Sequence, residues 1–252
     1  MDLTIQYLLV GLIIGGVMGL TGAGGALVAI PLFMQLLGME LKVAAGLSLV
    51  AVVLASLLNL VPQWRSAQVR LAIVLVLASL VGSTASLPLK ALLPEWGISS
   101  LLTAVALYAL YALWFPRKAG PSQITASVKI HPAIGLGLIL GVLTTLTGLG
   151  GGVLLMPLLV GVFALPARQA VATSLLVVAL SSLYSFVLQM WRGALPAPGL
   201  NFVWLALGIV LSALGLTQLA QRLPPSVLDL LRKIIFSFVA LYALTKIWRI
   251  LR

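Results

Sequence analysis

Cysteine is absent from the 252 residues, so neither disulfides nor thiolate metal sites can form, and nothing in cysteine usage selects a compartment. Histidine occurs once, as His131 beside lysines. With one imidazole and no thiol, neither a metal centre nor a His-dependent catalytic triad can be assembled, so no cofactor and no enzymatic activity are expected. Acidic residues number four, Asp2, Glu40, Glu95 and Asp229, each near the end of an apolar segment. Carboxylates deep in a span, which cation pumps and proton relays require, are missing. An anion pathway tolerates that lack well, because a buried negative charge would repel the cargo.

Charge of either sign is scarce: 8% of residues are charged, 62% are hydrophobic and the mean hydropathy is +1.22. A soluble domain carries about a quarter charged residues, so a water-soluble fold is excluded. Apolar runs recur over 4–37, 43–61, 70–89, 98–115, 132–164, 169–190, 199–220 and 233–248. Most approach the ~20 residues of helix that cross a ~30 Å hydrocarbon layer. Alternating barrel patterns are absent, which leaves helices to satisfy the backbone in lipid. The expected fold is all-α, a polytopic integral protein of the inner or plasma membrane, with the lipid bilayer as its surroundings. Met1-Asp2 lacks the basic start of a cleavable signal, so the first segment is expected to remain in the mature protein. Fifteen Lys and Arg give a net charge of +11, but they sit in short loops and at segment ends. They read as topology signals and headgroup contacts, not as a nucleic-acid surface.

Internal similarity is plain. Thr21-Gly-Ala-Gly-Gly-Ala-Leu-Val-Ala-Ile-Pro31-Leu aligns without gaps on Thr147-Gly-Leu-Gly-Gly-Gly-Val-Leu-Leu-Met-Pro157-Leu, an offset of 147 − 21 = 126. The same offset pairs Lys42 with Arg168, Ser48 with Ser174 and Ser56 with Ser182. Trp64-Arg65 pairs with Trp191-Arg192 after one added residue, and Leu93-Pro94 with Leu223-Pro224 further on. Two homologous four-segment repeats are therefore expected, over 1–116 and 132–252, joined by a polar linker at 117–131 whose basic residues favour the cytoplasm.

Orientation of the repeats is a separate question. If each segment crosses once, Arg65, Arg70, Arg117, Lys118, Lys129, Arg192, Lys246, Arg249 and Arg252 share one face, nine against six, which gives cytoplasmic termini and parallel repeats. Segments 4–37 and 132–164 are too long for one span, about 50 Å as continuous helix, and must be tilted, broken or folded back. Folding back as hairpins would invert the repeats and leave the linker on a nine-charge face. Basic residues at matching positions in both halves favour the parallel arrangement.

The chemistry is expected at Thr21, Gly22, Gly24 and Gly25 and at Thr147, Gly148, Gly150 and Gly151. Glycine clusters loosen a helix, and a helix restarting after the break points its positive end and free N–H groups at whatever fills the gap. An anion suits that place, and two such breaks suggest one shared central site. Thr21 and Thr147 could add hydroxyls, while Pro31 and Pro157 would limit or kink the restarted helices. Close packing through small residues is the plain alternative; duplication in register favours the site.

These motifs also carry a family resemblance. The chain resembles the sulfite exporter TauE/SafE family, also called the 4-toluene sulfonate uptake permeases, whose members show a G-x-G-G-G/A-x-x-x-x-P-x signature in each of two related halves. The resemblance covers essentially the whole chain, with Ser66 standing where the second half has Gly193. It implies a permease for sulfite, a sulfonate or a related organosulfur anion.

Other polar residues are weaker candidates. Ser48 and Ser174 could line the cavity or bond their own helices, and Asn59 and Gln189 rank below them. Lys42 and Arg168 could draw anions inward or snorkel; Arg65 and Arg192, each next to Trp, read as interfacial anchors. The expected function is a secondary carrier of a small anion, with an anion-selective channel and a non-transporting scaffold as alternatives. A homo-oligomer is compatible with the sequence.

Overall fold

The computed structural model describes residues 3–21, 26–114, 130–193, 195, 199 and 201–222, with single helical positions at 227, 230, 231, 233, 234, 237, 241 and 245. Among these residues the chain is helical, without strands. The helices are α1 (Leu3–Thr21), α2 (Ala26–Leu36), α3 (Leu41–Leu60) followed by a 3-10 turn (Val61–Ser66), α4 (Val69–Leu92), α5 (Glu95–Trp114), α6 (Ile130–Thr147), α7 (Gly152–Gly161), α8 (Ala167–Trp191) and α9 (Asn201–Arg222). Among the described residues four apolar stretches are long enough to cross a membrane, Leu41–Ser66, Val69–Lys90, Ile130–Thr147 and Ala167–Trp191.

The over-long segment 132–164 is broken into α6 and α7. The run 4–37 holds α1 and α2, with 22–25 between them outside the described residues, and the second helix of each pair starts 126 residues apart, at Ala26 and Gly152. α2 has 11 residues and α7 has 10. At ~1.5 Å per residue neither reaches more than about half way through a ~30 Å layer.

Hydrogen bonds fix how the long helices run. Gln68, the residue before α4, donates its backbone N–H to Thr173 Oγ1 at 2.9 Å and its side-chain amide to Gln169 at 3.0 Å, both in the first turns of α8. Further along, Ser83 meets Ser185 at 3.0 Å, Thr84 meets Tyr184 at 2.8 Å, and Lys90 bonds Gln189. α4 and α8 are therefore parallel. Because the turn after α3 leads directly into Gln68, the end of α3 lies beside the start of α8. At the opposite end Leu195, just past α8, packs onto Gly46 near the start of α3. α3 and α8 are antiparallel.

Glycines set the remaining contacts. Gly137 of α6 abuts Leu75 and Ala78 of α4, and Gly141 abuts the backbone of Ser79 and Ser83. In the same way Gly11 of α1 abuts the Leu205 carbonyl of α9, and Gly15 abuts Ile209 and Ser212. No side chain fits at these four positions, because each glycine lies against neighbouring backbone. Small residues permit this close approach, the usual basis of helix association in lipid. Each half thus lends its first helix to the fourth helix of the other, and both pairs run parallel.

α6, α4 and α8 all begin at one end of the bundle, and only Val162–Pro166 separates α7 from α8. α7 consequently runs back toward the end from which α6 started, and Val162–Pro166 completes the return. In the α3 and α8 pair, helices at equivalent places in the sequence repeat run head to tail. Basic side chains mark helix ends at either surface, so matched positions carry no direction.

Candidate functional site

The second glycine motif lies within the described residues, and its backbone explains the break. Gly148, Gly150 and Gly151 have φ of 72°, 68° and 69°, the left-handed region that side-chain-bearing residues enter at a cost of about 1–2 kcal/mol. α6 closes with the Gly148 N–H donating to Thr144 O at 2.9 Å. Thr147 donates to Leu143 O at 2.6 Å and accepts the Leu149 N–H at 3.3 Å. Ser48 on α3 donates to the carbonyls of Gly148 and Ala45, each at 2.8 Å, and so ties the break to the neighbouring helix.

α7 starts at Gly152 with Gly151 as its N-cap, and the Gly151 carbonyl accepts from Leu154 and Leu155 at 3.1 and 3.0 Å. The amides of Gly150, Gly151 and Gly152 find no acceptor among the described residues. Two buried hydroxyls beside them are likewise unpartnered, Thr144 Oγ1 and Ser182 Oγ. A Cβ on Gly150 would sit 2.9 Å from Ser182 Oγ and 2.5 Å from a Val52 methyl; one on Gly151 would sit 3.3 Å from Thr144 Oγ1. Three free amides, two free hydroxyls and the positive end of a helix therefore converge on a few residues. This arrangement gathers N–H and O–H donors with no carboxylate among them, a chemistry suited to an anion.

A hydroxyl cluster adjoins it. Ser185, one turn beyond Ser182, lies 3.0 Å from Ser83 and 3.2 Å from Thr145, and Ser83 also donates to Gly141 O at 3.2 Å. Glu40 and Glu95, by contrast, stand exposed at helix starts.

Of the residues expected at the site, Gly148, Gly150, Gly151, Thr147 and Ser48 come together here. Thr147 and Ser48 use their hydroxyl hydrogens on carbonyls, so their place is in shaping the break. Ser174 donates to Val171 O of its own helix at 2.8 Å. Thr21 ends α1, and Gly22, Gly24 and Gly25 lie outside the described residues. Asn59 donates to Ala55 O at 2.8 Å, also within its helix. Trp64, Arg65, Trp191 and Arg192 are exposed, with the Arg192 guanidinium 6.0 Å from the Trp191 ring centre, as fits interfacial anchors.

Thr144, Ser182 and Lys90 were not among the expected site residues, although Ser182 pairs with Ser56 in the repeat alignment. Their signals exist, however. Ser182, Ser185 and Gln189 recur at helical spacing on one face of α8, and Lys90 is a cation at the end of a span whose counterpart in the second half, at the Leu-Pro offset of 223 − 93 = 130, is Ala220.

A helical protein with several apolar spans is a multi-pass membrane protein, and its family and relatives make it a transporter and not an enzyme. Comparison with known sequences gives the family. The chain belongs to the sulfite exporter TauE/SafE family, whose profile matches residues 7–245. It is 30% identical over 261 aligned positions to a "Probable membrane transporter protein" of Xylella fastidiosa (strain Temecula1), covering 98% of this chain and 97% of that one. A protein of the same description from strain 9a5c is 29% identical with the same coverage. "Probable membrane transporter protein YjnA" of Bacillus subtilis (strain 168) is 26% identical over 188 positions, 69% of this chain and 74% of the relative. No solved structure matches the chain significantly.

Proposed function

We propose that this transporter is a secondary carrier of a small organosulfur anion, sulfite or a sulfonate, bound at the start of α7 by the amides of Gly150, Gly151 and Gly152 and the hydroxyls of Thr144 and Ser182. The carrying observation is the unpaired state of those donors inside an apolar bundle. A buried hydroxyl or amide without a partner costs about 1–3 kcal/mol, and an oxyanion with several acceptor atoms relieves several such costs at once. The family's sulfite description favours the same cargo. The aligned motif after α1 would supply the matching half of the site through Thr21, Gly22, Gly24 and Gly25, with Ser48 and Ser174 as supports in the two halves.

In this reading the halves 1–116 and 132–252 are inverted repeats. Each comprises a re-entrant hairpin, α1–α2 or α6–α7, and three crossings, α3, α4 and α5 in the first half and α8, α9 and 233–248 in the second. The linker 117–131 is cytoplasmic and the protein sits in the inner or plasma membrane. The antiparallel run of α3 and α8 supports this arrangement, since repeats related by an axis in the membrane plane place equivalent helices head to tail.

The test is sulfite and 4-toluenesulfonate uptake into proteoliposomes with Gly24→Leu and Gly150→Leu. Loss of uptake in protein that remains monodisperse and folded is the expected result. Undiminished uptake by the double variant refutes the site.

A further inference from the structure

Among the described residues, Lys90 is the one cation that the structure turns inward from a membrane-spanning helix. It occupies the last turn of α4, where a lysine could extend its stem along the helix and hold its ammonium in water. Instead it is 6% exposed, and its Nζ donates to Gln189 Oε1 on α8, a side chain that is itself wholly buried. Gln189 Nε2 donates to Ser185 O at 3.1 Å, which holds the amide with its oxygen toward Lys90. An ammonium carries three donors, and the remaining two meet no acceptor among the described residues. No described carboxylate acts on it; the charge that reaches it is the like charge of Lys42, half-buried in the first turn of α3. Placing a lone cation in such surroundings is costly, and proteins keep one there when a counter-charge visits.

Its position gives it a connection. From Gln189 the polar side chains continue along one face of α8 to Ser185, which bonds Ser83 and Thr145, and then to Ser182 beside Gly150. We propose that Lys90, with Gln189, forms a second oxyanion station at the outer end of this hydroxyl file, a waiting place for the anion between the surface where α3 begins and the break before α7. It rests on the transport reading above and adds a direction to it. The second half has Ala220 in the corresponding place, so the repeat supplies no second lysine of this kind.

The experiment uses the full chain in proteoliposomes with sulfite, sulfate and 4-toluenesulfonate as probes, together with thermal unfolding of the purified protein. Lys90→Gln is expected to raise the half-saturation concentration roughly tenfold to a hundredfold, the effect of losing one charge-assisted hydrogen bond, and Lys90→Arg to restore it. Gln189→Glu keeps the lysine but gives it a permanent carboxylate partner, so folding is retained while half-saturation rises and anion-induced stabilisation shrinks. A purely structural lysine would leave half-saturation unmoved in both variants. Unaltered uptake by Gln189→Glu, or by folded Lys90→Gln, overturns the second station and leaves the α7 site standing. Absence of uptake and of anion-induced stabilisation in the unsubstituted protein overturns the transport reading and the station with it.

Discussion

Thr144 and Ser182 make the anion site testable by an unusual pairing of effects. Both are fully buried with hydroxyl oxygens that lack a partner, so each destabilises the empty protein by about 1–3 kcal/mol relative to a paired hydroxyl. Thr144→Val keeps the shape and Ser182→Ala removes one oxygen, so neither opens a sizeable cavity. The empty variants are expected to unfold at the same temperature as the parent or a few degrees higher, at ~2–4 °C per kcal/mol for a chain of this size. With the anion present the balance reverses. Each hydroxyl would donate to a charged acceptor, worth about 1.5–3 kcal/mol, so its loss should weaken sulfite binding roughly tenfold to a hundredfold. The assay is thermal unfolding in detergent across a sulfite series, read beside uptake in proteoliposomes. A drop of several degrees in the empty variants with uptake untouched would refute the reasoning, since it would mean that the hydroxyls serve the fold and not the cargo.

Three further outcomes are expected. Gly141→Leu should destabilise by about 3 kcal/mol or more, because a side chain there meets the backbone of Ser79 and Ser83, whereas Gly135→Leu, with nothing within 4 Å, should unfold like the parent. Gly150→Ala should cost stability through its φ of 68° and its approach to Val52 and abolish uptake, checked by unfolding and flux on one preparation. Since the chain has no cysteine, Asp2→Cys and Ser122→Cys can each be introduced singly. In intact cells an impermeant maleimide should label position 2 and not position 122; protection of both would support cytoplasmic termini and parallel repeats.

The membrane class, the helical fold and the broken first segment of the second half were legible in composition and length. A run of 33 or 34 apolar residues cannot be one span, and duplication of Thr-Gly-x-Gly-Gly located the break at Thr147–Gly152. The direction of the repeats was not legible, because it depends on whether α7 continues or turns back, and that is decided by φ at three glycines. The hydroxyls of Thr144 and Ser182 and the inward turn of Lys90 were hidden for a different reason. Serine, threonine and lysine in apolar helices have several uses, and only the positions of neighbouring helices select among them. Ser48 shows the converse: its matched place in the two halves suggested a ligand, while its hydrogen bonds to Ala45 and Gly148 show a fastening. The pairs Gly11-x-x-x-Gly15 and Gly137-x-x-x-Gly141, also 126 residues apart, could have announced the helix exchange, since that spacing is the familiar mark of touching helices in lipid.

That exchange constrains how the protein matures and moves. With α1 seated on α9 and α6 on α4, neither half owns a complete wall, and a ribosome that has finished only the first half leaves the glycine face of α1 without its mate. Truncated halves should be poor substrates for independent folding and should need co-expression to assemble. Interlaced in this way, the halves make a stiff outer frame that resists being prised apart. Displacement during turnover is then expected of the short helix α7, hung within the frame from the glycines that precede it.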